Sequence, residues 1–455
     1  MEYSYKVVYP SSQFLIDAGY AKVALVPCIF DARPGYHRAA SRFLMDRGLG
    51  LWDPAHRGSR VLTQPPSSIS LKNYADWLVN FLEWCDIRTV DPMKAEYTSE
   101  LIGRYQKEMA EGIWSNDGTG LAERTINLRV SLATEFLTWA ADKGMRGALV
   151  VPTVTRTFLR GSATSSVSHL PVQREVRKGK LREHKRRLGF PEEKEIVAWL
   201  NGIYSKEFVG PTEGLLCETI LETALRETEA ACLRVDTLPR DCRDWKIPNP
   251  NADVENQSVL VEVRYGTKGP EYGWDHGDKI GPVGTIRIAM PLALKLHEYR
   301  EKVRPKSLSV AIRQGITVAE QRRIRDNTVH LFINPKTGQR YTGSNIYDIW
   351  RSIDRPKGWS PHLARDFWAC SILWRRIEDQ RKLLEHALKT NVDESILAAL
   401  QSNALAVIQL EIQPQLRHVS KETTMIYLQW LADRLGVNLN LHQNWVEQLS
   451  EESES

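Results

Sequence analysis

The sequence predicts a mainly α-helical protein with a small β-hairpin or sheet, built as a helical module followed by a larger mixed α/β domain. Its 455 residues exceed one typical domain, and a hydrophobic content of 42% with 14 tryptophans is enough to form sizeable cores. Apolar residues recur at helical spacing over much of the chain. Residues 259–265 instead alternate apolar and polar positions, which is typical of a strand, and 285–290 form a second strand candidate after a glycine-rich segment.

The helical module is predicted at 68–150. Residues 1–67 mix short apolar runs with loop residues, so they are interpreted as an N-terminal extension whose role, DNA- or protein-binding, is left open. A helix begins near Leu71 and a second covers about 97–110. A third helix is predicted to bury one stripe of side chains, formed by Leu128, Leu132, Phe136 and Trp139.

A basic interdomain linker is expected at 151–190. Within it, residues 174–187 (REVRKGKLREHKRR) carry eight Lys/Arg against two Glu, although the whole chain has a net charge of only +5. Such a run is most often a solvated linker, whereas in a DNA-binding protein it contacts phosphates. Both interpretations stay open at this point.

The third region, 191–432, opens with helices and then forms the predicted hairpin. Pro291 suits the first turn of a following helix. A short strand is expected at 329–334, and an amphipathic helical insertion at about 375–412. Residues 433–455 form a separate C-terminal segment that ends in an acidic tail.

Cysteine usage and hydropathy exclude several classes of protein. The six cysteines are scattered without a CxxC pair, which argues against a zinc site and a disulfide framework. No stretch approaches the length of an apolar membrane span, and the N-terminus lacks a signal-peptide pattern. We therefore expect a cytoplasmic protein.

Phosphodiester transfer without a metal requires a nucleophile, fixed cations around the non-bridging oxygens, and acids that protonate the leaving oxygen. The C-terminal half contains a candidate for each role, in this order along the chain: Arg226, Lys268, His362, Arg365, His418 and Tyr427. Each has an ordinary structural interpretation when taken alone. An arginine late in a helix pairs with Glu222 or Glu229, a hairpin lysine is solvated, and a helix tyrosine packs.

The set resembles the tyrosine recombinase (phage integrase) family. TALRETE, which ends at Glu229, is similar to the family's T-G-L-R-x-x-E box with Ala224 in place of glycine. HLAR, from His362 to Arg365, matches H-x-x-R. LRH matches L-G-H with Arg417 replacing glycine, and Tyr427 follows His418 by nine positions, as in the family.

The resemblance extends to the hairpin and to the domain organisation. Lys268 fits the family's hairpin lysine, with Lys279 as its competitor because the loop from Gly266 to Gly284 is long. The resemblance implies a catalytic domain at 191–432 and a helical, SAM-like core-binding domain at 68–150. The gap from Arg365 to His418, about twice the usual family spacing, suggests a specialised subfamily with an added protein-contact surface.

The resemblance implies a mechanism. Tyr427 attacks a scissile phosphate and forms a 3′-phosphotyrosine, and Arg226 and Arg365 clamp the non-bridging oxygens. Lys268 protonates the leaving 5′-oxygen. His362 acts as general acid/base, His418 donates a hydrogen bond to the phosphate, and Glu229 orients the neighbouring side chains. Neither a metal nor any other cofactor is implied.

The implied partner is double-stranded DNA with a specific site. Candidate DNA contacts are Arg124, Thr125, Asn127, Arg129, Arg177, Lys178, Lys180, Arg186 and Arg187. The family further implies a homotetramer on DNA that exchanges segment 433–455, possible companion recombination proteins, a mobile genetic element, and a bacterial, nucleoid-associated location.

Three alternatives remain open on the sequence alone. A non-catalytic DNA-binding accessory protein on the same fold would tolerate the two glycine replacements. A type IB topoisomerase-like enzyme would form adducts on random DNA. A helical protein-interaction scaffold would show no salt-dependent DNA affinity, whereas a recombinase would show a steep dependence.

Overall fold

The structure, a computed structural model, describes residues 5–10, 12–31, 35–57, 65–158, 172–183, 187–379, 382, 394–417 and 422–435. The chain divides into two compact units, with the boundary between Lys185 and Arg186. Helices dominate both units, and the strands form small antiparallel sheets. The predicted fold class, mainly α with a small β component, is confirmed.

The first unit is a helical bundle preceded by a short two-stranded sheet. Its elements are β1 (Lys6–Val8), α1 (Ser12–Asp17), β2 (Cys28–Phe30), α2 (Arg38–Gly48), α3 (Ser68–Ile87), a π-helical segment (Tyr97–Gln106) that continues into α4 (Lys107–Ala110), and α5 (Glu123–Asp142).

The segment before residue 67 shares a core with the helices that follow it. The Phe43 ring lies 5.6 Å from Phe136 and 5.7 Å from Trp139, centroid to centroid, and the Trp139 indole donates to Asp46 at 2.9 Å. Aromatic rings of this size contribute much of the apolar area buried in a core. The N-terminal segment and α5 therefore fold as one body.

Two strands lie in the segment that the sequence suggests is a low-order connector. They are β3 (Thr153–Phe158) and β4 (Val172–Arg177), which pair antiparallel with Thr153 opposite Arg177. After them, Asn127 of α5 donates to the Leu181 carbonyl at 3.0 Å and accepts from its amide at 3.0 Å. The connector is thus tied to the helical bundle by a buried side chain.

The second unit contains the remaining helices and a three-stranded sheet. The helices are α6 (Glu193–Tyr204), α7 (Gly210–Thr223), α8 (Glu227–Ala231), α9 (Met290–Glu298), α10 (Arg304–Ile312), α11 (Val318–Asn327), α12 (Gly343–Arg351), α13 (Pro361–Arg376), α14 (Glu394–Val407), α15 (Gln413–Leu416) and α16 (Glu422–Leu435).

The sheet of the second unit has the order β5-β7-β6, from β5 (Ser258–Tyr265), β6 (Trp274–Asp275) and β7 (Asp278–Ala289). Val259, Val261 and Val263 are buried along one face of β5, as the alternation predicts. The same hairpin carries the glycine-rich loop.

Two hydrophobic cores meet at one peptide bond of the second unit. Leu225 belongs to the core around the sheet and α6, α7, α9 and α12. Ala224 belongs to a separate core built by α13, α14 and α16, which includes Tyr427. The chain crosses from one core to the other at the Ala224–Leu225 link, and the candidate site lies there.

Two details of the sequence prediction are wrong. Leu128 is 40% exposed, and α5 buries Ile126 and Val130 instead. Residues 329–334 form only isolated bridges, between His330 and Arg234 and between Ile333 and Arg340, because neither pairing extends into a ladder.

Within the described residues, no helix is long and apolar enough to span a membrane.

Candidate active site

Arg226 lies in a link between two helices, whereas the sequence suggested a position late in one helix. Helix α7 ends at Thr223, and Ala224 adopts a left-handed conformation with φ of 54° that caps it. The chain then becomes extended at Arg226, whose backbone N–H donates to the carboxylate of Glu229 at 2.8 Å. This is the capping arrangement in which a Glu at the third helical position accepts from the residue before the helix.

Glu229 is fully buried and holds two arginine side chains. One carboxylate oxygen accepts from Arg226 Nη1 at 2.8 Å, and the other accepts from Arg417 Nη2 as well as from the Arg226 amide. Burial alone would raise the pKa of Glu229, but Arg417 and Arg226 outweigh it and hold that pKa below its usual value. Glu229 is therefore an ionised bridge between two distant segments.

Arg365 is 3% exposed and connects the same two segments through their backbones. Its Nη1 donates to the carbonyl of Ala224, and its Nη2 donates to the carbonyl of Leu416. Burial, with the nearby charges of Arg226 and Arg417, lowers the pKa of Arg365 to about 10, so the guanidinium stays charged at neutral pH. The Ala224 carbonyl belongs to a residue with left-handed backbone, and the Leu416 carbonyl directly precedes another, Arg417.

Buried Gln415 links the same turn to the sheet. Its side-chain amide donates to the Thr223 carbonyl at 2.9 Å and to the Arg287 carbonyl at 3.0 Å, and its oxygen accepts from the Arg287 amide at 2.8 Å. Thr223 ends α7 and Arg287 lies in β7. One side chain thus joins three elements around the site.

Tyr427 lies on α16 with its side chain fully buried against α13. Its hydroxyl donates to Asp366 at 3.1 Å. Burial and the Asp366 carboxylate together raise the pKa of Tyr427 well above its usual value, although nearby Arg365 acts in the opposite direction. In this conformation the Tyr427 side chain is shielded from solvent.

The hairpin loop carries the two competing lysines in different environments. Lys279 lies at the start of β7, and its ammonium donates to the Gly269 carbonyl at 2.6 Å, across the loop. Lys268 is exposed, and no residue of the described part of the chain accepts a hydrogen bond from it. The loop is anchored to α8, since the Thr228 hydroxyl donates to the Gly266 carbonyl at 3.1 Å. Lys268 follows that anchor by two residues.

The base of β7 is fixed by a buried carboxylate. Asp278 accepts from Arg340 and from His330 Nε2, the latter at 2.7 Å, and lies 3.4 Å from Arg234 Nη2. Arg234 also stacks over the Tyr265 ring, 3.5 Å from its centroid. The strand that carries Lys279 is therefore held at its first residue.

The structure describes only one of the two histidine candidates. His362 lies exposed in the first turn of α13, and Arg365 is buried one turn further on. His418 lies outside the described residues. The assignment of both therefore stays a prediction.

The candidate DNA contacts predicted from the sequence differ in exposure. The side chain of Asn127 is buried, Arg129 donates to Asn80 at 3.1 Å, and Arg177 donates to the Asn127 carbonyl at 2.8 Å, so these three make contacts within the protein. The exposed group consists of Arg124, Lys178, Lys180 and Arg187, whereas Thr125 is half-buried. Arg186 lies outside the described residues.

Sequence reasoning missed three residues that the structure brings into the site. Arg417 was noted only as a departure from a glycine, and Gln415 and Asp366 were not considered. A signal existed for Arg417, because a glycine of the resembling motif marks a backbone position that favours positive φ. No sequence signal pointed to Gln415, whose partners lie 128 and 192 residues away. Among the described residues, no cluster of His, Cys, Asp and Glu has the makings of a metal site.

Comparison with known proteins gives only structural matches. No protein-family model matches the chain, and no curated protein matches it. A post-cleavage complex of the site-specific recombinase XerH with palindromic difH substrate aligns with a TM-score of 0.43 at 14% identity, covering 82% of this chain and 80% of that one. The Tn1549 transposon integrase in complex with circular intermediate DNA aligns with a TM-score of 0.40 at 13% identity, covering 82% and 91%.

The XerA recombinase covers more of both chains, 90% and 98%, but with a TM-score of 0.28 at 15% identity. These structural alignments are too weak to assign a function, so the functional interpretation rests on the residues of the site.

Proposed function

We propose that this chain is a tyrosine recombinase that cleaves and rejoins DNA through a 3′-phosphotyrosine on Tyr427. One observation carries the proposal. Arg226, Arg365 and Tyr427 come from three separate segments, yet Arg365 donates to the carbonyl of Ala224, two residues before Arg226, and the Tyr427 hydroxyl donates to Asp366, directly after Arg365. Three of the residues that the family resemblance selects by spacing therefore lie close together.

The charge of the cluster suits a phosphodiester. Three guanidinium groups, those of Arg226, Arg365 and Arg417, lie near the carboxylate of Glu229, and they outnumber it even when the Asp366 carboxylate beside Tyr427 is added, so the described cluster is cationic overall. Arg226 keeps 23% of its side chain exposed, which leaves it accessible to a substrate. Fixed guanidinium groups stabilise charge on phosphoryl oxygens, because they are already oriented when that charge develops.

The proposed reaction conserves the number of phosphodiester-type bonds. The phenolic oxygen of Tyr427 forms a bond to phosphorus, the bond to the 5′-oxygen breaks, and the phenol gives up its proton. Lys268 protonates the leaving 5′-oxygen, and His362 acts on the tyrosine proton. Attack by a 5′-hydroxyl of another strand reverses these steps and releases Tyr427. Because the hydroxyl is buried against Asp366, Tyr427 must leave this pocket before it attacks.

The proposal extends to partners. Double-stranded DNA with a specific site is the substrate, and the exposed side chains of Arg124, Lys178 and Lys180 support phosphate contacts by the first unit. We further propose a homotetramer on DNA and a mobile genetic element as the biological context. No metal or other cofactor is needed, because the phosphotyrosine conserves the bond energy.

The test is covalent capture on nicked duplexes. A nick near the scissile phosphate lets the fragment behind it diffuse away, so the covalent intermediate accumulates. We expect a denaturation-resistant protein–DNA band with the wild type, selected first from a randomised pool of nicked duplexes. The matched control is Tyr427→Phe, which should bind the selected duplex with unchanged affinity and give no band.

One alternative has an observation in its favour. A non-catalytic DNA-binding accessory protein would have no reason to expose Tyr427, and the buried hydroxyl bonded to Asp366 is consistent with that. It predicts salt-dependent DNA binding with no covalent band from any duplex in the pool. A topoisomerase-like enzyme instead predicts bands without enrichment of any sequence.

A further inference from the structure

Arg417 occupies a backbone position that disfavours it. Its φ of 52° and ψ of 45° lie in the left-handed region, where it ends α15, and the resembling motif has glycine there. Side chains other than glycine, asparagine and aspartate rarely take this conformation, because Cβ approaches the following carbonyl oxygen. An arginine at such a position needs a compensating contact.

The side chain of Arg417 follows a path that another glycine leaves open. It passes over β7 at Gly284, where a Cβ atom would overlap Arg417 Cδ. Gly284 pairs with Val263, the last pair before the hairpin shifts register, and its φ is not positive, so a left-handed backbone does not explain a glycine there. The space above β7 is therefore occupied by the aliphatic stem of Arg417.

The guanidinium of Arg417 ends on the carboxylate that orients Arg226. Its Nη2 donates to the Glu229 oxygen that also accepts from the Arg226 amide, while the other oxygen accepts from Arg226 Nη1. The carbonyl of Leu416, directly before Arg417, accepts from Arg365. Arg417 is therefore linked to Arg226 through the shared carboxylate of Glu229. It is linked to Arg365 through the Leu416 carbonyl in its own turn.

We propose that Arg417 is a positioning residue: through Glu229 and the Leu416 carbonyl it holds Arg226 and Arg365 in one fixed arrangement for the scissile phosphate. This role rests on the proposed function. We assign the phosphate contact to Arg226, whose side chain is 23% exposed, and the positioning role to Arg417, which is 14% exposed and donates both to Glu229 and to the Gln415 carbonyl.

The first test compares three substitutions at this position. Arg417→Gly removes the guanidinium and relieves the backbone, Arg417→Asn removes it while tolerating left-handed backbone, and Arg417→Lys keeps a cation. On the selected nicked duplex, we expect Gly and Asn to lower the single-turnover rate of adduct formation by roughly tenfold to a hundredfold, the usual consequence of misplaced catalytic groups. The DNA concentration that gives half the maximal rate should stay within about twofold, because uniform binding is retained.

The conservative substitution and the unfolding midpoint separate positioning from a merely structural role. Arg417→Lys should recover a substantial part of the rate that Gly and Asn lose. The urea midpoint of Arg417→Gly should stay close to that of the wild type, since relief of the backbone offsets the lost ion pair. Wild-type rates for Arg417→Gly, or a loss of rate that only follows a loss of folded protein, would overturn the role.

The second test uses Gly284. Gly284→Ala should slow adduct formation in the wild-type background because its methyl group displaces the Arg417 stem, and should add nothing in the Arg417→Gly background. Equal losses in both backgrounds would contradict the coupling. If the wild type gives no adduct on any duplex, the proposed function fails; if the wild type and Arg417→Gly react equally, only the role of Arg417 fails.

Discussion

Two left-handed turns in the second unit make an informative comparison. Ala224 and Arg417 have nearly the same φ, 54° and 52°, and each ends a helix. Both stand where the resembling family has glycine. The carbonyl of Ala224 and that of Leu416, before Arg417, accept from the two nitrogens of Arg365.

The difference between the turns lies in their side chains. Ala224 adds one methyl group, which is fully buried in the core that contains Tyr427. Arg417 adds a guanidinium that reaches Glu229, and Gly284 leaves space for it. At Ala224 the glycine of the resembling motif is replaced by the smallest other side chain. At Arg417 it is replaced by a long side chain that reaches Glu229, three residues after Arg226. The backbone geometry is shared, and of the two side chains only that of Arg417 makes a polar contact with the other segment.

The largest effect is expected from Arg365→Ala, which breaks both turns at once. It leaves the carbonyls of Ala224 and Leu416 without a donor and opens a cavity, so we expect a loss of about 4 kcal/mol in the free energy of unfolding. Arg365→Lys keeps a cation but satisfies fewer acceptors, and should lose about half as much. Urea unfolding monitored by tryptophan fluorescence measures both. Near-wild-type stability of Arg365→Ala would mean that the two turns are not held by this side chain.

Glu229→Gln should have the next largest effect, because it leaves Arg226 and Arg417 without a shared anion. We expect a loss of about 3 kcal/mol at neutral pH. The pKa of Glu229 is lower in the folded protein than its ordinary value of roughly 4.3. Its contribution is therefore fully present above that ordinary value and is lost as the pH falls through the lower, folded-state pKa.

The control for this prediction is the pH dependence itself. Stability of the wild type should fall in that acid window more steeply than stability of Glu229→Gln, when both are followed by urea midpoints between neutral and acid pH. Parallel curves would contradict an ionised Glu229 bridge.

The third prediction separates backbone from side chain at Ala224. Ala224→Gly should change the free energy of unfolding by less than about 1 kcal/mol, because relief of left-handed backbone offsets one lost methyl group. Ala224→Val should cost about 2 kcal/mol, since a branched side chain fits neither the φ nor the packed core. Thermal unfolding of the two variants checks this. Unlike Arg417→Gly, Ala224→Gly should also keep the wild-type rate of adduct formation.

The smallest effect on stability is expected at the hairpin lysines. Lys268→Ala should shift the free energy of unfolding by less than about 0.5 kcal/mol, because the side chain is exposed. Its adduct formation should nevertheless fall sharply if Lys268 protonates the leaving oxygen. Lys279→Ala loses the hydrogen bond to Gly269 and should keep most of the activity. The opposite ranking, measured as single-turnover rates on one duplex, would assign the role to Lys279.

The sequence predicts most elements of this molecule for clear physical reasons. Alternation marks β5, and helical periodicity marks α3 and α5, since both patterns follow from which side chains are buried. The same reasoning wrongly placed Leu128 in the core. Helical spacing shows which residues share a face of the helix, but not which face the neighbouring elements cover. The end of α7 was also missed. Alanine is a good helix former, so the residue type does not mark the left-handed turn at Ala224, and only the glycine of the resembling motif pointed to it.

The site was predictable in part for a related reason. Spacing and residue type, together with the family resemblance, select Arg226, Glu229, Arg365 and Tyr427; in the structure Arg226 bonds Glu229, and Tyr427 bonds Asp366, the residue after Arg365. The Arg417–Glu229 pair spans 188 positions and depends on a left-handed turn and an unrelated glycine in β7. No local pattern encodes such a contact, so it becomes visible only in three dimensions.

The central claim is that Tyr427 is the residue that becomes joined to DNA. The most direct measurement is mass spectrometry of the captured adduct after digestion by trypsin and nuclease, which identifies the modified residue. We expect a nucleotide phosphate on the peptide that contains Tyr427, and no such species from Tyr427→Phe. A phosphate on any other residue, or an equal yield of adduct from Tyr427→Phe, would contradict it.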